Sequence, residues 1–238
     1  MRALVAMVRT ELVLFCREPA AVFFTLVFPV LVLLIFGSVF RGYPGAIDHY
    51  LPALAAMVIG TVGLIGIPVS FLPYRQFGVL RRLRATPLPA WVILTAYVLT
   101  HLVATLAGIV LLLVTGATVF QLHAPRAPVG VAAALLLAAL GFFAAGFVLA
   151  AVLPTVRVAA AVGQATFLPM LFLSGAALPR EQLPPLLHQV SDVLPLTYVV
   201  TLLQRLWVDG RWDGLAVAVL AGMLVAGVTL TAKLFRWQ

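Results

Sequence analysis

The chain has 238 residues, of which 64% are hydrophobic and only 9% charged, with a net charge of +8. A soluble domain carries roughly a quarter of its residues charged, so lipid must solvate most of this chain and a water-soluble globule is excluded. The basic residues lie scattered between long neutral stretches, which assigns them to membrane orientation rather than to nucleic acid.

Met1 to Arg17 opens the chain with a helical pattern. At about 100° per residue, Leu4, Val5, Val8, Leu12 and Phe15 share one face, with Arg2, Arg9 and Arg17 displaced towards the other. The spacing predicts an interfacial helix that turns into the first span at Glu18 and Pro19. Such a helix serves either as a passive anchor or as a lever touching a cytosolic partner. Cys16 is the lone cysteine, so no internal disulfide, CxxC pair or cysteine-based metal site is available. The first apolar run is long enough to span and starts well inside the chain, so a cleaved leader is not expected.

Six uncharged runs are long enough to cross about 30 Å of hydrocarbon at about 1.5 Å per residue. They extend from Ala20 to Phe40, Leu51 to Tyr74, Trp91 to Phe120, Val129 to Leu153, Val158 to Leu178 and Leu215 to Ala232. The third is too long to stand upright, so it tilts or begins as an interfacial segment near Trp91. Gly60, Gly63 and Gly66 in the second run and Ala218, Gly222 and Ala226 in the last form small-residue stripes. These permit close helix approach, within one subunit or at a dimer seam. The expected fold is an all-α polytopic membrane protein with six transmembrane helices.

An even number of spans puts both termini on one side. The termini with the second and fourth loops hold ten basic residues against two acidic ones, whereas the first, third and fifth loops hold five of each. The positive-inside rule therefore places both termini in the cytosol. The second loop is the basic hotspot: in YRQFGVLRRLRATPLPAW, Arg75, Arg81, Arg82 and Arg84 cluster, Gly78 permits a tight turn, and Pro87 and Pro89 stop the short helix between. A rigid basic element of this kind suits docking into an acidic groove, or holds topology.

Pro179 to Trp212 is too apolar for a simple external loop. Leu183, Leu186, Leu187 and Val190 lead into Leu196, Val199, Val200, Leu203, Leu206 and Trp207 at helical spacing, with prolines at 184, 185 and 195 to open the helices. Two amphipathic helices in the outer leaflet are expected, which either cap an exit route or shield the bundle.

The energy source for transport leaves residues behind. All seven acids fall outside the expected spans, and His101 and Gln164 are the strongly polar groups within them. His101 fits hydrogen bonding within the bundle better than a proton relay, and Gln164 fits a bridge between helices better than a substrate contact. The single lysine, Lys233, lies in no glycine-rich phosphate loop, so the chain is no ordinary P-loop ATPase. There is no HExxH, no GxSxG and no histidine cluster; His49, His123 and His188 are isolated in the external loops. No catalytic residue and no metal ligand is expected.

Three stretches together carry a resemblance: REPAAVFFTLVFPVLVLLIFG from Arg17, FGVLRRLRATPLP from Phe77, and FLSGAALPREQLPP from Phe172 followed by PLTY from Pro195. In this order and spacing the chain resembles the permease subunits of type-2 ABC transporters, a family that exports drugs, lipids and polymers. The resemblance covers nearly the whole chain. It implies an N-terminal connecting helix over residues 1–19 and a transmembrane domain over 20–238, with a coupling helix at 75–87 and external helices at 183–207. Carried over by position, Gly78, Leu80, Arg81, Arg82, Leu83, Arg84 and Thr86 form the coupling element, and Arg9, Glu11, Arg17 and Glu18 belong to the connecting helix. The implied partners are a second permease subunit and two nucleotide-binding ATPase subunits that hold ATP and magnesium, with no cofactor on this chain. Many relatives have an acid shortly before the glycine, where this chain has Arg75 and Gln76, so docking here would rest on the arginines and backbone shape.

An ABC exporter permease for a hydrophobic or amphipathic compound such as a drug, lipid or lipid-linked glycan is the leading expectation, in the plasma membrane of a bacterium. The translocation surface is expected to be apolar and without fixed charges, with His101 and Gln164 as its polar members. The alternative is a secondary transporter or channel, for which His101 is the coupling candidate. An intramembrane enzyme or scaffold finds no supporting constellation.

Overall fold

The computed structural model describes residues 2–40, 45–78, 90–176 and 184–234. All regular structure among them is helical. In chain order the elements are α1 (Arg2–Arg17), α2 (Pro19–Val39), α3 (Ala46–Gln76), α4 (Ala90–Phe120), α5 (Pro128–Val152), α6 (Val156–Leu173), α7 (Pro185–Ser191), α8 (Pro195–Val208) and α9 (Gly214–Leu234). Six of them, α2 to α6 and α9, are long and apolar enough to cross a membrane.

Helix α3 is the hub: 72% of its most apolar stretch is buried, against 17% for α9 and 22% for α2 and α6. Lipid tails are as apolar as leucine, so helices in a bilayer associate by close packing rather than by hydrophobic expulsion. Two prolines set that packing. Pro29 and Pro68 cannot donate to the carbonyls four residues back, those of Thr25 and Leu64, and each sits just after a widened π-helical turn, Phe23–Val27 in α2 and Val62–Gly66 in α3. The freed carbonyls abut glycines of neighbouring helices. A Cβ at Gly108 of α4 would lie 2.6 Å from the Thr25 oxygen, and one at Gly163 of α6 would lie 2.5 Å from the Leu64 oxygen.

Several boundaries differ from the sequence expectation. Helix α3 starts at Ala46, so Asp48 falls on the first turn of a spanning helix; it is held there because it accepts bonds from the His123 backbone N–H and Nδ1 at 3.0 and 2.9 Å. The same helix runs on through Arg75 and Gln76, which places the start of the expected 75–87 element inside the second span's last turn. Helix α6 ends at Leu173, short of the expected Leu178, and Gly175 follows with φ of 87°. Helix α4 is continuous over 31 residues.

The small-residue stripe on α9 faces away from the bundle: Ala218, Gly222 and Ala226 are exposed, and a Cβ at Gly222 would meet nothing within 4 Å. Ala216, Leu220 and Gly227 form the packed face instead, with Gly227 against Ala144 of α5. Helices α7 and α8 meet at 88°. Their sequence pattern suggested a place in the outer leaflet, yet α8 turns Leu196, Val199, Val200, Leu203, Leu206 and Trp207 into α3, α5 and α9. Its amphipathic face is satisfied by protein rather than by lipid.

Candidate substrate cavity

Helix α1 does not simply lie beside the bundle; it packs along α4. Its inward face also differs from the predicted one. Val5 is exposed, whereas Glu11 is only 7% exposed. The reason is a partner on α3, since Tyr74 Oη donates to Glu11 Oε1 at 2.5 Å. Burial pushes the Glu11 carboxyl pKa up, and the Tyr74 hydrogen bond offsets part of that rise.

Between α1, α2, α3, α4 and α6 lies a cavity of about 700 Å³. Its walls come from the first half of α2 up to Phe28, the second half of α3 from Thr61, α4 from Tyr97 to His101, and one face of α6. These segments share one end of the bundle, the end that carries the N-terminus. On α6 the lining residues Val156, Ala160, Gln164, Phe167, Leu168 and Leu171 recur at helical spacing. Both π-helical turns contribute to the wall: Phe24 and Thr25 from one, Val62, Ile65 and Gly66 from the other. The glycine stripe on α3 is thereby split, Gly60 and Gly63 packing on Phe167 and Phe142 while Gly66 lines the cavity.

An aromatic ladder forms the α3–α4 wall. Tyr74 and Tyr97 meet edge to face at 6.0 Å, and Tyr97 stacks on His101 at 4.6 Å. Phe71 backs both tyrosines. His101 Nδ1 lies 3.0 Å from the Tyr97 carbonyl, which can only accept, so Nδ1 carries the proton and Nε2 faces the Ser70 hydroxyl at 3.3 Å.

The two polar residues singled out within the spans, His101 and Gln164, therefore line one cavity. Their environments differ. His101 is 5% exposed and bonded within the bundle, as its sequence context suggested, whereas Gln164 is exposed and makes no hydrogen bond with the described residues, so it bridges no helices among them. A surface without fixed charges was expected, but Glu11 and Glu18 both line it. Both were assigned to the connecting helix, outside the spans; only the return of α1 against α4 brings them to the wall. Tyr74, Tyr97 and Ser70 were missed as well, although Ser70 and Tyr74, like Tyr97 and His101, stand four apart on a helix and share a face.

The remaining connecting-helix residues, Arg9 and Arg17, are exposed on α1. Gly78 adopts φ of 65°, a left-handed turn that glycine takes without strain. Leu80, Arg81, Arg82, Leu83, Arg84 and Thr86 lie outside the described residues. Among the described residues no group of three or more histidine, cysteine or acidic side chains could hold a metal ion.

No match was found among curated proteins. A family model described as ABC-2 type transporter matches residues 2–206, which takes in α1, five of the six candidate spans and nearly all of α8. Helical architecture, six candidate spans and this match agree, and the chain belongs to the ABC-2 type transporter family, as a multi-pass permease subunit of an ABC transporter.

Proposed function

We propose that this permease exports a hydrophobic or amphipathic compound from the cytosolic side of a bacterial plasma membrane, taking it into the cavity at the N-terminal end of the bundle. The observation that carries this reading is the cavity itself: about 700 Å³, walled by apolar and aromatic side chains with a few polar groups, within the ~300–1,000 Å³ usual for small-molecule sites. The excess of basic residues on the termini and on the second and fourth loops supports a cytosolic position for that end.

The chain works as one of two permease subunits, and two separate ATPase subunits that bind ATP and magnesium supply the energy. Those subunits grip the segment from Gly78 to Thr86, with Arg81, Arg82 and Arg84 as the charged contacts and Leu80 and Leu83 as the apolar ones. Their closure on ATP moves that segment and switches the cavity between its two sides. Helix α1 moves with it, through Glu11 and Tyr74.

The test is co-reconstitution with the cognate ATPase in inverted vesicles. ATP-dependent uptake of substrate, lost when Arg81, Arg82 and Arg84 are all replaced by Glu, is expected. Transport by the permease alone, continuing without ATP and collapsing with the proton gradient, would establish the secondary-transporter alternative instead.

A further inference from the structure

We propose that the cavity is a site for an amphipathic organic cation, a bulky apolar body bearing a protonated amine or a quaternary or phosphonium centre, with Glu11 and Glu18 as its counter-charges. The proposal rests on the export reading of the same cavity and narrows its substrate class. Its first support is the sign of the wall. Among the described residues, Glu11 and Glu18 line the cavity and no arginine or lysine does, in a chain whose net charge is +8. The nearest basic residues in sequence, Arg9 and Arg17, point elsewhere on α1.

The second support is the state of Glu11. It is more than nine-tenths buried, and its one partner among the described residues is the neutral Tyr74 hydroxyl, on Oε1. Among them, Oε2 accepts no bond and no cationic side chain pairs with either oxygen. A buried carboxylate is stabilised by a counter-charge, and here the open side of that position is the cavity. Glu18, exposed at the entry to α2, caps no helix with its side chain and has no ion pair among the described residues.

Aromatic rings supply the third support. Phe15, Phe24, Phe28, Tyr74, Tyr97 and Phe167 line the same space. Ring faces attract cations and repel anions, most strongly where water is excluded. A phosphate-bearing glycan or an anionic lipid would meet two carboxylates and these rings with no basic group among the described residues to receive it, so this wall discriminates against that class.

The full chain in lipid nanodiscs tests this with a pair of ions of matched shape, tetraphenylphosphonium and tetraphenylborate, measured by equilibrium dialysis against empty nanodiscs. Saturable binding of the phosphonium and none of the borate is expected. Glu11→Gln should weaken the phosphonium by about tenfold and Glu18→Gln by less, because water screens the exposed carboxylate. Gln keeps the Tyr74 bond at position 11. Gln164→Arg, which breaks no hydrogen bond among the described residues, serves as a second variant and should abolish phosphonium binding. Absence of saturable phosphonium binding, equal binding by all variants, or borate binding at least as tightly would each overturn the proposal. None of these results bears on ATP-driven transport in inverted vesicles, which decides the export reading separately.

Discussion

Arg75 Nη1 donates to the carbonyls of Ala150 and Ala151 at 2.9 and 2.6 Å, so a cation at the last turn of α3 caps the C-terminal end of α5. Gln76 adds a bond from Nε2 to the Pro154 carbonyl at 2.9 Å. The terminal carbonyls of a helix lack partners within it and carry the negative end of its dipole, so a guanidinium is well suited to them. Arg75 and Gln76 are therefore spent on joining two spans just before Gly78. Arg75→Ala should destabilise the protein by about 2 kcal/mol, the loss of charged hydrogen bonds in a part-buried place. Thermal unfolding in detergent measures it, with Arg75→Lys recovering part of the loss. An unchanged midpoint for Arg75→Ala would remove the cap from consideration.

Glu11 gives a pH dependence with a definite sign. Its folded-state pKa is raised above 4.5, chiefly by burial. The folded protein thus holds this proton more tightly than the unfolded chain, and the associated stability is complete below about pH 4.5 and is lost as pH rises through the raised value. Glu11→Gln should match wild type at low pH and exceed it above that window. Comparing the two proteins at each pH cancels the contributions of the groups they share. A difference in melting temperature that is flat with pH would refute the sign.

Tyr74→Phe leaves Glu11 buried without its donor. The carboxyl pKa should rise further, and the window in which Glu11→Gln outperforms its parent should move to higher pH. The relevant measurement is the same pair of melting curves in the Tyr74→Phe background; an unmoved window would mean that the hydrogen bond carries no weight.

The approach of freed carbonyls to glycines predicts a contrast between two alanine substitutions. Gly163→Ala forces a Cβ to within 2.5 Å of the Leu64 backbone oxygen, which has no side-chain freedom to yield. A cost of about 1–3 kcal/mol, the usual range for overpacking, is expected. Gly222→Ala meets nothing within 4 Å and should leave the subunit's stability unchanged or slightly improved. Equal melting temperatures for the two variants would contradict the packing described.

Asp48 and His123 join the N-terminal end of α3 to the segment after α4. His123 is largely exposed, which limits the bond's worth to about 1 kcal/mol or less. Asp48→Asn should speed amide hydrogen exchange over residues 121–127 with little change in overall stability. Exchange rates identical to wild type there would show that the contact does not order the segment.

Membrane class, span count and helical character were legible in the sequence because they depend on local quantities: length of apolar run, spacing of side chains and position of charge. The α8 pattern could be read for the same reason, since Leu196, Val199 and Leu203 declare a face by spacing alone. That face's neighbour could not be read. Protein and lipid are equally apolar partners for leucine, so hydropathy does not distinguish a buried amphipathic helix from one resting in the bilayer.

His101 and Gln164 stood out because polar groups are rare within spans, and tertiary structure placed both on one cavity. That Glu11 and Glu18 line it as well came only from folding. Glu11 and Tyr74 are 63 positions apart, and neither is unusual in its own segment. They meet because α1 folds back along α4 while α3 returns to the same end of the bundle. Composition dictated that this chain cross a membrane; the long-range packing of α1 decided that acidic side chains line its cavity.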